Sequence, residues 1–276
     1  MKSAPHNSAF TLVELLVVIS IIGILAAIAM PVVANFRKAD SMLAATRQLQ
    51  DDVERARMLA ISQRTTVYMI FCPLISPTDP MLNSLPQSEK DKAKKLYDKQ
   101  LAAYTFVTMR SVGNQPGQVT PRYLSEWRTL PEGAIIPTFK FAQSNIVTTV
   151  YDPPPPALPV QRSFRVHGFN VTDKIPFPSA EAYAPGQRYV TLPYVAFNHL
   201  GQLETYFTDS GEEPCEHIPL AKGNVNQARD ANKIPFDPPR PPVVSEQPPG
   251  NSTNAFTLVH ITRLTGRARL EKQEFP

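Results

Sequence analysis

Side chains that could perform catalysis or bind a metal are few in this chain and widely separated. Cys215, Glu216 and His217 come closest, because thiolate, carboxylate and imidazole all bind transition metals. Adjacent residues rarely point at one ion, however, and the flanking Pro214 and Pro219 predict a loop with a redox or structural cysteine. The other histidines are scattered: His6, His167, His199 and His260. With no phosphate-binding, HExxH or nucleophile-elbow motif either, we expect no metal, no cofactor and no enzymatic activity.

The two cysteines, Cys72 and Cys215, are too few for a disulfide framework or a four-cysteine metal site. In an oxidising compartment they could form one disulfide that closes a long loop. Two separate half-buried thiols fit the sequence equally well, because it does not give the distance between their Cα atoms.

A single carboxylate lies inside the most apolar stretch of the chain. Residues 10–30 (FTLVELLVVISIIGILAAIAM) would form a helix about 30 Å long, enough to cross a bilayer. The segment contains Glu14 but no Lys or Arg, and an acid in an apolar span is costly without a partner. Cleavage between Ala9 and Phe10 would give a neighbouring copy a free α-amino group that could serve as this partner.

The polar residues 1–9 stop abruptly at the start of this stretch. A secretory signal peptide places its cleavage site after the apolar run, and no A-x-A-like site occurs before Pro31. Any cleavage therefore falls in front of the apolar stretch. We predict a leader peptide at 1–9 and a transmembrane segment at 10–30.

The segment AFTLVELLVVISIIGILAAIAMP resembles the N-terminal methylation segment of the type IV pilin and type II secretion pseudopilin superfamily. The resemblance implies that prepilin peptidase cleaves between Ala9 and Phe10, that Phe10 is methylated, and that Glu14 docks the subunit onto a filament. Pro31 matches the helix-perturbing proline of many members. Ala9 is a departure, since most members have Gly there. The alternative is a plain signal anchor that tolerates an acid.

A looser resemblance links the chain to the H-type minor pseudopilins and related minor pilins. It rests on the passage from an Arg-Ala-containing helix end to a strand over residues 53–72, on residues 127–133 (WRTLPEG), and on the closing AFTLVHITRLTGRARLE. It implies a minor structural subunit of a type II secretion or type IV pilus-like filament. The implied partners are other pilin or pseudopilin subunits, prepilin peptidase and inner-membrane lipid.

The same resemblance implies a single-pass protein of the inner (cytoplasmic) membrane. Its leader would stay in the cytoplasm, and its C-terminal domain would lie in the periplasm or outside the cell. Lys2 before the apolar stretch and Arg37 with Lys38 after it favour the reverse orientation on charge alone. We follow the family topology.

The C-terminal segment TRLTGRARLEK predicts a basic hairpin. Arg267 and Arg269 would project from one face because side chains alternate along a strand, and Arg263 lies close by. Competence-type minor pilins similar to this family contact the DNA backbone through a Gly-Arg-x-Arg hairpin, which residues 266–269 match. A DNA-uptake minor pilin is therefore the alternative function. A solvated hairpin is the favoured interpretation, since few phosphate contacts could form.

A helix and a sheet must position these residues. Over residues 31–64 apolar side chains recur every three or four positions, which predicts an amphipathic spine helix lying along a sheet. Residues 65–276 predict a β-rich extracytoplasmic domain, so the fold class is α+β with an antiparallel sheet and proline-rich insertions. The apolar stripe is Met42, Ala45, Leu49, Val53, Ala56 and Ala60. The predicted strands are 65–71, 103–109, 134–139, 163–169, 189–197, 203–207, 256–263 and 267–270.

Turns and insertions separate these strands. Glycine-containing hairpin turns are predicted at 198–201 and 264–266, because glycine readily adopts positive φ. The charged residues 88–100 predict a helical insertion. Residues 152–159 and 237–250 are rich in proline and predict polyproline-like surface connections.

Overall fold

In the computed structural model, the chain divides into two compact units, Met1–Ser41 and Met42–Pro276. The structure describes residues 12–75, 80–111, 113–115, 117–142, 146–151, 161–177, 189–204, 214–231, 240, 242–254 and 256–272. Within these ranges, only the backbone is described at 27–40, 80–81, 146–151, 161–164 and 272.

One helix is far longer than the others. The helices are α1 (Leu12–Gln63), α2 (Pro80–Asn83), α3 (Gln87–Lys94) and α4 (Asn251–Asn254), with 3-10 turns at Tyr97–Lys99 and Thr138–Lys140. The predicted spine helix is confirmed as the later part of α1. The helix continues through Pro31, so this proline does not end it, and a bend there stays a prediction.

The strands are short, with one exception of 12 residues, β11. They are β1 (Val67–Phe71), β2 (Ala103–Thr108), β3 (Arg122–Tyr123), β4 (Arg128–Thr129), β5 (Ala134–Ile135), β6 (Ile146–Tyr151), β7 (Gln161–Val166), β8 (Lys174–Pro176), β9 (Tyr189–Thr191), β10 (Tyr194–Phe197), β11 (Cys215–Asn226), β12 (Val243–Glu246), β13 (Thr257–Thr262) and β14 (Ala268–Lys272).

These strands form two larger antiparallel sheets and two hairpins. Sheet 1 has the order β10-β1-β2-β3, with β4 also paired to β2. Sheet 2 has the order β12-β11-β13-β14, with β5 also paired to β11. The hairpins are β6-β7 and β8-β9. The α+β class with a long N-terminal helix and antiparallel sheets is confirmed.

The main core lies where the spine part of α1 meets both sheets. Five of the six predicted stripe residues are fully buried, and the sixth, Met42, packs against them. Met69 and Phe106 contribute from sheet 1, and Ile218 and Val259 contribute from sheet 2. Burial of each large aliphatic side chain stabilises the fold by about 1.5–3 kcal/mol. A second cluster covers the back of sheet 1, where α3 and its flanking loops pack.

Two predicted strands are shortened by prolines. The strand predicted at 134–139 ends at Ile135 and becomes a 3-10 turn after Pro137. The strand predicted at 189–197 is divided at Pro193 into β9 and β10, which pair with β8 and β1 respectively. A proline lacks the N–H that a ladder needs, so it marks the point where the partner changes.

The loop predicted around Cys215 is wrong, because this residue begins β11, the longest strand. β11 pairs with β13 over Cys215–Leu220 and with β5 and β12 over Ala221–Asn226. Pro219 therefore lies where β11 has one paired strand among the described residues, a position that tolerates a missing N–H.

The predicted insertions have mixed outcomes. The charged helical insertion is confirmed by α3 and the 3-10 turn that follows it. The proline-rich connection predicted at 237–250 is wrong in part, since β12 lies within it. Residues 152–159 lie outside the described residues, as does most of the strand predicted at 203–207, where Leu203 forms a bridge to Phe197.

Candidate functional site

The first part of α1 carries the predicted docking residue. Glu14 lies in the first helical turn, where the partial positive charge of a helix N-terminus favours an acid. The predicted cleavage and methylation residues, Ala9 and Phe10, lie outside the described residues. Ser20 is accommodated by donating a hydrogen bond from Oγ to the Leu16 carbonyl at 2.8 Å.

Aliphatic side chains are exposed on every side of this part of α1. They are Leu12, Val13, Leu15, Leu16, Val17, Val18, Ile19, Ile21, Ile22, Ile24 and Leu25. A helix that is apolar all round is normally buried in something, so this surface needs cover from outside the unit. Within the part of the chain that the structure describes, no helix combines the length and apolarity needed to cross a membrane. The membrane-spanning role of residues 10–30 stays a prediction.

Polar contacts attach the spine part of α1 to sheet 1. The buried Asp52 carboxylate accepts a hydrogen bond of 2.5 Å from the Tyr104 hydroxyl and lies 2.9 Å from the Arg128 guanidinium. Gln48 donates to the Tyr104 hydroxyl at 3.0 Å and to the Thr129 carbonyl at 3.1 Å. Burial and the Asp52 carboxylate raise the pKa of Tyr104, so its hydroxyl remains a donor.

The two predicted glycine turns meet near the end of α1. Gly201 and Gly266 both have positive φ, of 77° and 62°, which confirms both turn predictions. A Cβ on Gly266 would collide with the Gly201 carbonyl oxygen, so this close approach requires glycine. Arg57 on α1 donates to the Thr265 carbonyl at 2.7 Å and thereby holds the second turn.

The predicted basic hairpin is confirmed as β13, its turn and β14. Arg267 is exposed, Arg263 is half-buried, and Arg269 forms a 2.9 Å ion pair with Glu271. This pair neutralises part of the charge that would contact phosphate. DNA binding by the hairpin stays a prediction.

Both cysteines are buried and reduced, and the disulfide considered from the sequence is not formed in the structure. Cys72 lies in the cluster behind sheet 1 and donates weakly to the Leu96 carbonyl at 3.9 Å. Burial raises the pKa of Cys72 to about 12, so its thiol is unreactive near neutral pH. Cys215 lies at the start of β11 in sheet 2, where its sulfur is close to His217.

Sheet 2 brings Cys215 together with two histidines. Cys215 and His217 share one face of β11 because they are two residues apart, and His260 lies directly opposite His217 on β13. The Cys215 sulfur lies 3.8 Å from either ring nitrogen of His217. His217 Nε2 lies 3.0 Å from His260 Nδ1. One ligand atom from each residue lies within 4.8 Å of the others, an arrangement that could hold a metal ion.

The other face of β11 carries a buried ion pair. Lys140 donates from Nζ to the Glu216 carboxylate and, at 2.7 Å, to the His167 carbonyl. Burial lowers the pKa of Lys140 and raises that of Glu216, while the opposite charge of each residue counteracts the shift of the other. The Glu216 side chain therefore lies on the core side of the strand, opposite the face that carries Cys215 and His217.

Burial lowers the pKa of His217 well below its usual range, and the positive charge of His260 lowers it further. The His217 ring is therefore neutral. The sequence interpretation missed His260 as a neighbour of Cys215 because the two residues are far apart along the chain. A Cys-x-His spacing on a strand was the available signal, since alternation places its two ligands on one face.

Comparison with known proteins gives one match, at the N-terminus. The family model for the prokaryotic N-terminal methylation motif matches residues 5–30, about a tenth of the chain. No curated protein and no solved structure matches the chain. The match supports a type IV pilin-like N-terminus, characteristic of a pilin- or pseudopilin-type precursor that is processed there.

Proposed function

We propose that this chain is a minor pseudopilin or pilin-like structural subunit of a type II secretion or type IV pilus-like filament, of the H type. The observation that carries the proposal is the methylation motif at residues 5–30, whose acid, Glu14, lies in the first turn of a helix with an early part that exposes aliphatic side chains on every side. The function is mechanical: the N-terminal helix assembles the filament, and the β-rich unit faces outward.

The exposed aliphatic surface of α1 is best covered by the same segment of other copies. Each copy carries an identical apolar surface and an identical acid, so helices packed side by side bury both together. Cleavage between Ala9 and Phe10 by prepilin peptidase places a positive amine about 6 Å along the helix from Glu14. An amine of one copy against Glu14 of the next neutralises the acid and fixes the axial register of the two helices.

Before assembly, residues 10–30 hold the precursor in the inner membrane, with residues 1–9 in the cytoplasm and the β-rich unit in the periplasm or outside the cell. Lipid covers this apolar surface before assembly, and neighbouring helices cover it in the filament. The subunit therefore needs no second anchor, and its extraction into the filament exchanges lipid contacts for helix contacts.

Replacement of Glu14 by alanine tests the docking role. Glu14→Ala should abolish incorporation into sheared filaments while the protein still fractionates with membranes, because only the charge that selects the register is lost. Asp51→Ala is the matched control, since it removes an exposed acid from the same helix and should assemble normally. Filaments that contain Glu14→Ala at the wild-type level would contradict the proposal.

Mass spectrometry of the N-terminus of the mature protein tests the processing step. The expected mature chain begins at Phe10 and carries a methylated amine. Replacement of Ala9 by the bulkier valine should slow this cleavage if the peptidase selects a small residue at that position. A mature chain that retains Met1 through Ala9 would refute the processing route.

A further inference from the structure

Three metal-binding side chains converge on one face of sheet 2, away from the α1 core. Cys215 and His217 project from one strand, and His260 projects from the strand paired with it. The other face of the same two strands packs into the main core through Ile218 and Val259. The three side chains are thus held on paired strands anchored in the core, and rigid elements position ligands more precisely than loops do.

We propose that Cys215, His217 and His260 form a binding site for a transition-metal ion, with Zn²⁺ as the preferred occupant. One thiolate and two imidazoles suit zinc, whereas magnesium and calcium prefer oxygen ligands. Three protein ligands leave a fourth tetrahedral position for water.

The spacing of the ligand atoms fits such a site. With zinc–sulfur and zinc–nitrogen bonds of ordinary length, neighbouring ligand atoms in a tetrahedral site lie about 3.3–3.6 Å apart. The observed separations are 3.8 Å between the Cys215 sulfur and His217 Nε2, and 3.0 Å between His217 Nε2 and His260 Nδ1. The three ligand atoms all lie within 4.8 Å of one another, so side-chain rotations that move ligand atoms by about 1 Å would accommodate the ion.

Two of the three ligands are buried, and the third lies partly open to solvent. Cys215 is 8% exposed and His217 is 5% exposed, so water competes poorly for two of the three ligands. His260 is half-buried and marks the side from which an ion and its water ligand would enter.

The positive charges around the site are balanced. Lys140 is paired with Glu216 on the opposite face of β11, and Arg269, directly opposite His260 on β14, is paired with Glu271. Metal binding would release the Cys215 proton, and the thiolate so formed would offset one positive charge of the cation. A bound metal would add a cross-link between β11 and β13 through Cys215, which forms no disulfide in the structure.

Binding of Co²⁺ to the full-length chain, purified in detergent, reduced and freed of metal, tests the proposal. The wild type should bind one Co²⁺ per chain with a thiolate-to-metal absorption band, and Zn²⁺ should displace it. Cys215→Ser should abolish the band, and His260→Gln should weaken binding by at least about tenfold. Zinc at a hundredfold excess over its Kd should raise the unfolding midpoint by about 5–10 °C.

The chain offers matched controls for both ligand types. Cys72→Ser removes the other buried cysteine and His199→Gln removes an exposed histidine, and both variants should bind metal as the wild type does. Should Cys215→Ser fail to fold, labelling of the wild type with iodoacetamide replaces it: Zn²⁺ should protect Cys215 and leave the labelling of Cys72 unchanged. A wild type that binds neither ion, or equal losses in Cys72→Ser and Cys215→Ser, would overturn the site and leave a hydrogen-bonded Cys-His-His cluster.

Discussion

The early and late parts of α1 differ in what covers their apolar side chains. Over residues 12–26 every large aliphatic side chain is exposed, and they surround the helix. Over residues 42–60 the predicted stripe is buried by both sheets, whereas Leu43 and Met58 lie off the stripe and are exposed. The early part is apolar around the whole helix, whereas the later part is amphipathic, with apolar residues at the spacing that matches a single partner surface.

This difference separates stability from assembly within one helix. The buried stripe contains Ala45, Ala56 and Ala60, whose small side chains let the sheets approach the helix closely. The exposed part has no single stripe, as expected if the proposed filament partners surround it. Changes in the later part should therefore alter unfolding of the β-rich unit, whereas changes in the earlier part should alter assembly alone.

The largest expected effect is on the buried stripe. Leu49 is 0% exposed and Leu43, on the same helix, is 45% exposed. Leu49→Ala should lower the free energy of unfolding by about 2–5 kcal/mol, because it removes buried surface and leaves a cavity. Leu43→Ala is the matched control and should change it by less than about 0.5 kcal/mol.

Urea unfolding followed by the fluorescence of the single tryptophan measures both variants. Trp127 is a suitable reporter because it packs edge-on against Phe177, with ring centroids 6.4 Å apart. Equal losses in the two leucine variants would mean that the stripe does not anchor the helix, and the comparison of the two parts would fail.

A smaller effect is expected at the polar contact between α1 and sheet 1. Asp52→Ala leaves the buried Tyr104 hydroxyl without its acceptor, at a cost of about 1–3 kcal/mol in unfolding free energy. Arg128 is partly exposed and can be solvated, so its loss of partner adds little. Asp51→Ala, at an exposed neighbouring position, should have no measurable effect in the same urea titration. A neutral Asp52→Ala would show that apolar packing alone attaches the helix.

Sequence patterns predicted the features that depend on local spacing. The stripe of α1 was predicted because its period of three to four residues is visible within a short window. The turns at Gly201 and Gly266 were predicted because positive φ has a clear residue preference. The approach of these two turns to each other was not predictable, since it depends on how distant strands pack.

Sheet 2 shows why the rest was missed. β11 is buried on both faces over residues 215–221, so it lacks the alternation that marks a strand, and its prolines suggested a loop. His217 and His260 are 43 residues apart, and only the strand register places them in contact. The metal-binding cluster is thus a product of pairing, whereas the N-terminal motif is contiguous and needed no structure to be recognised.

The smallest expected effect on stability, and the sharpest test of the comparison, lies in the early part of α1. Ile22 is 59% exposed, so Ile22→Ala should change the unfolding free energy of the β-rich unit by less than about 0.5 kcal/mol. The same variant should reduce filament incorporation, because it removes apolar surface that other copies cover. Urea titration and recovery in sheared filaments measure the two effects separately. A stability loss above about 1 kcal/mol would show that Ile22 is buried against its own chain, since an exposed site away from packed contacts does not produce such a loss.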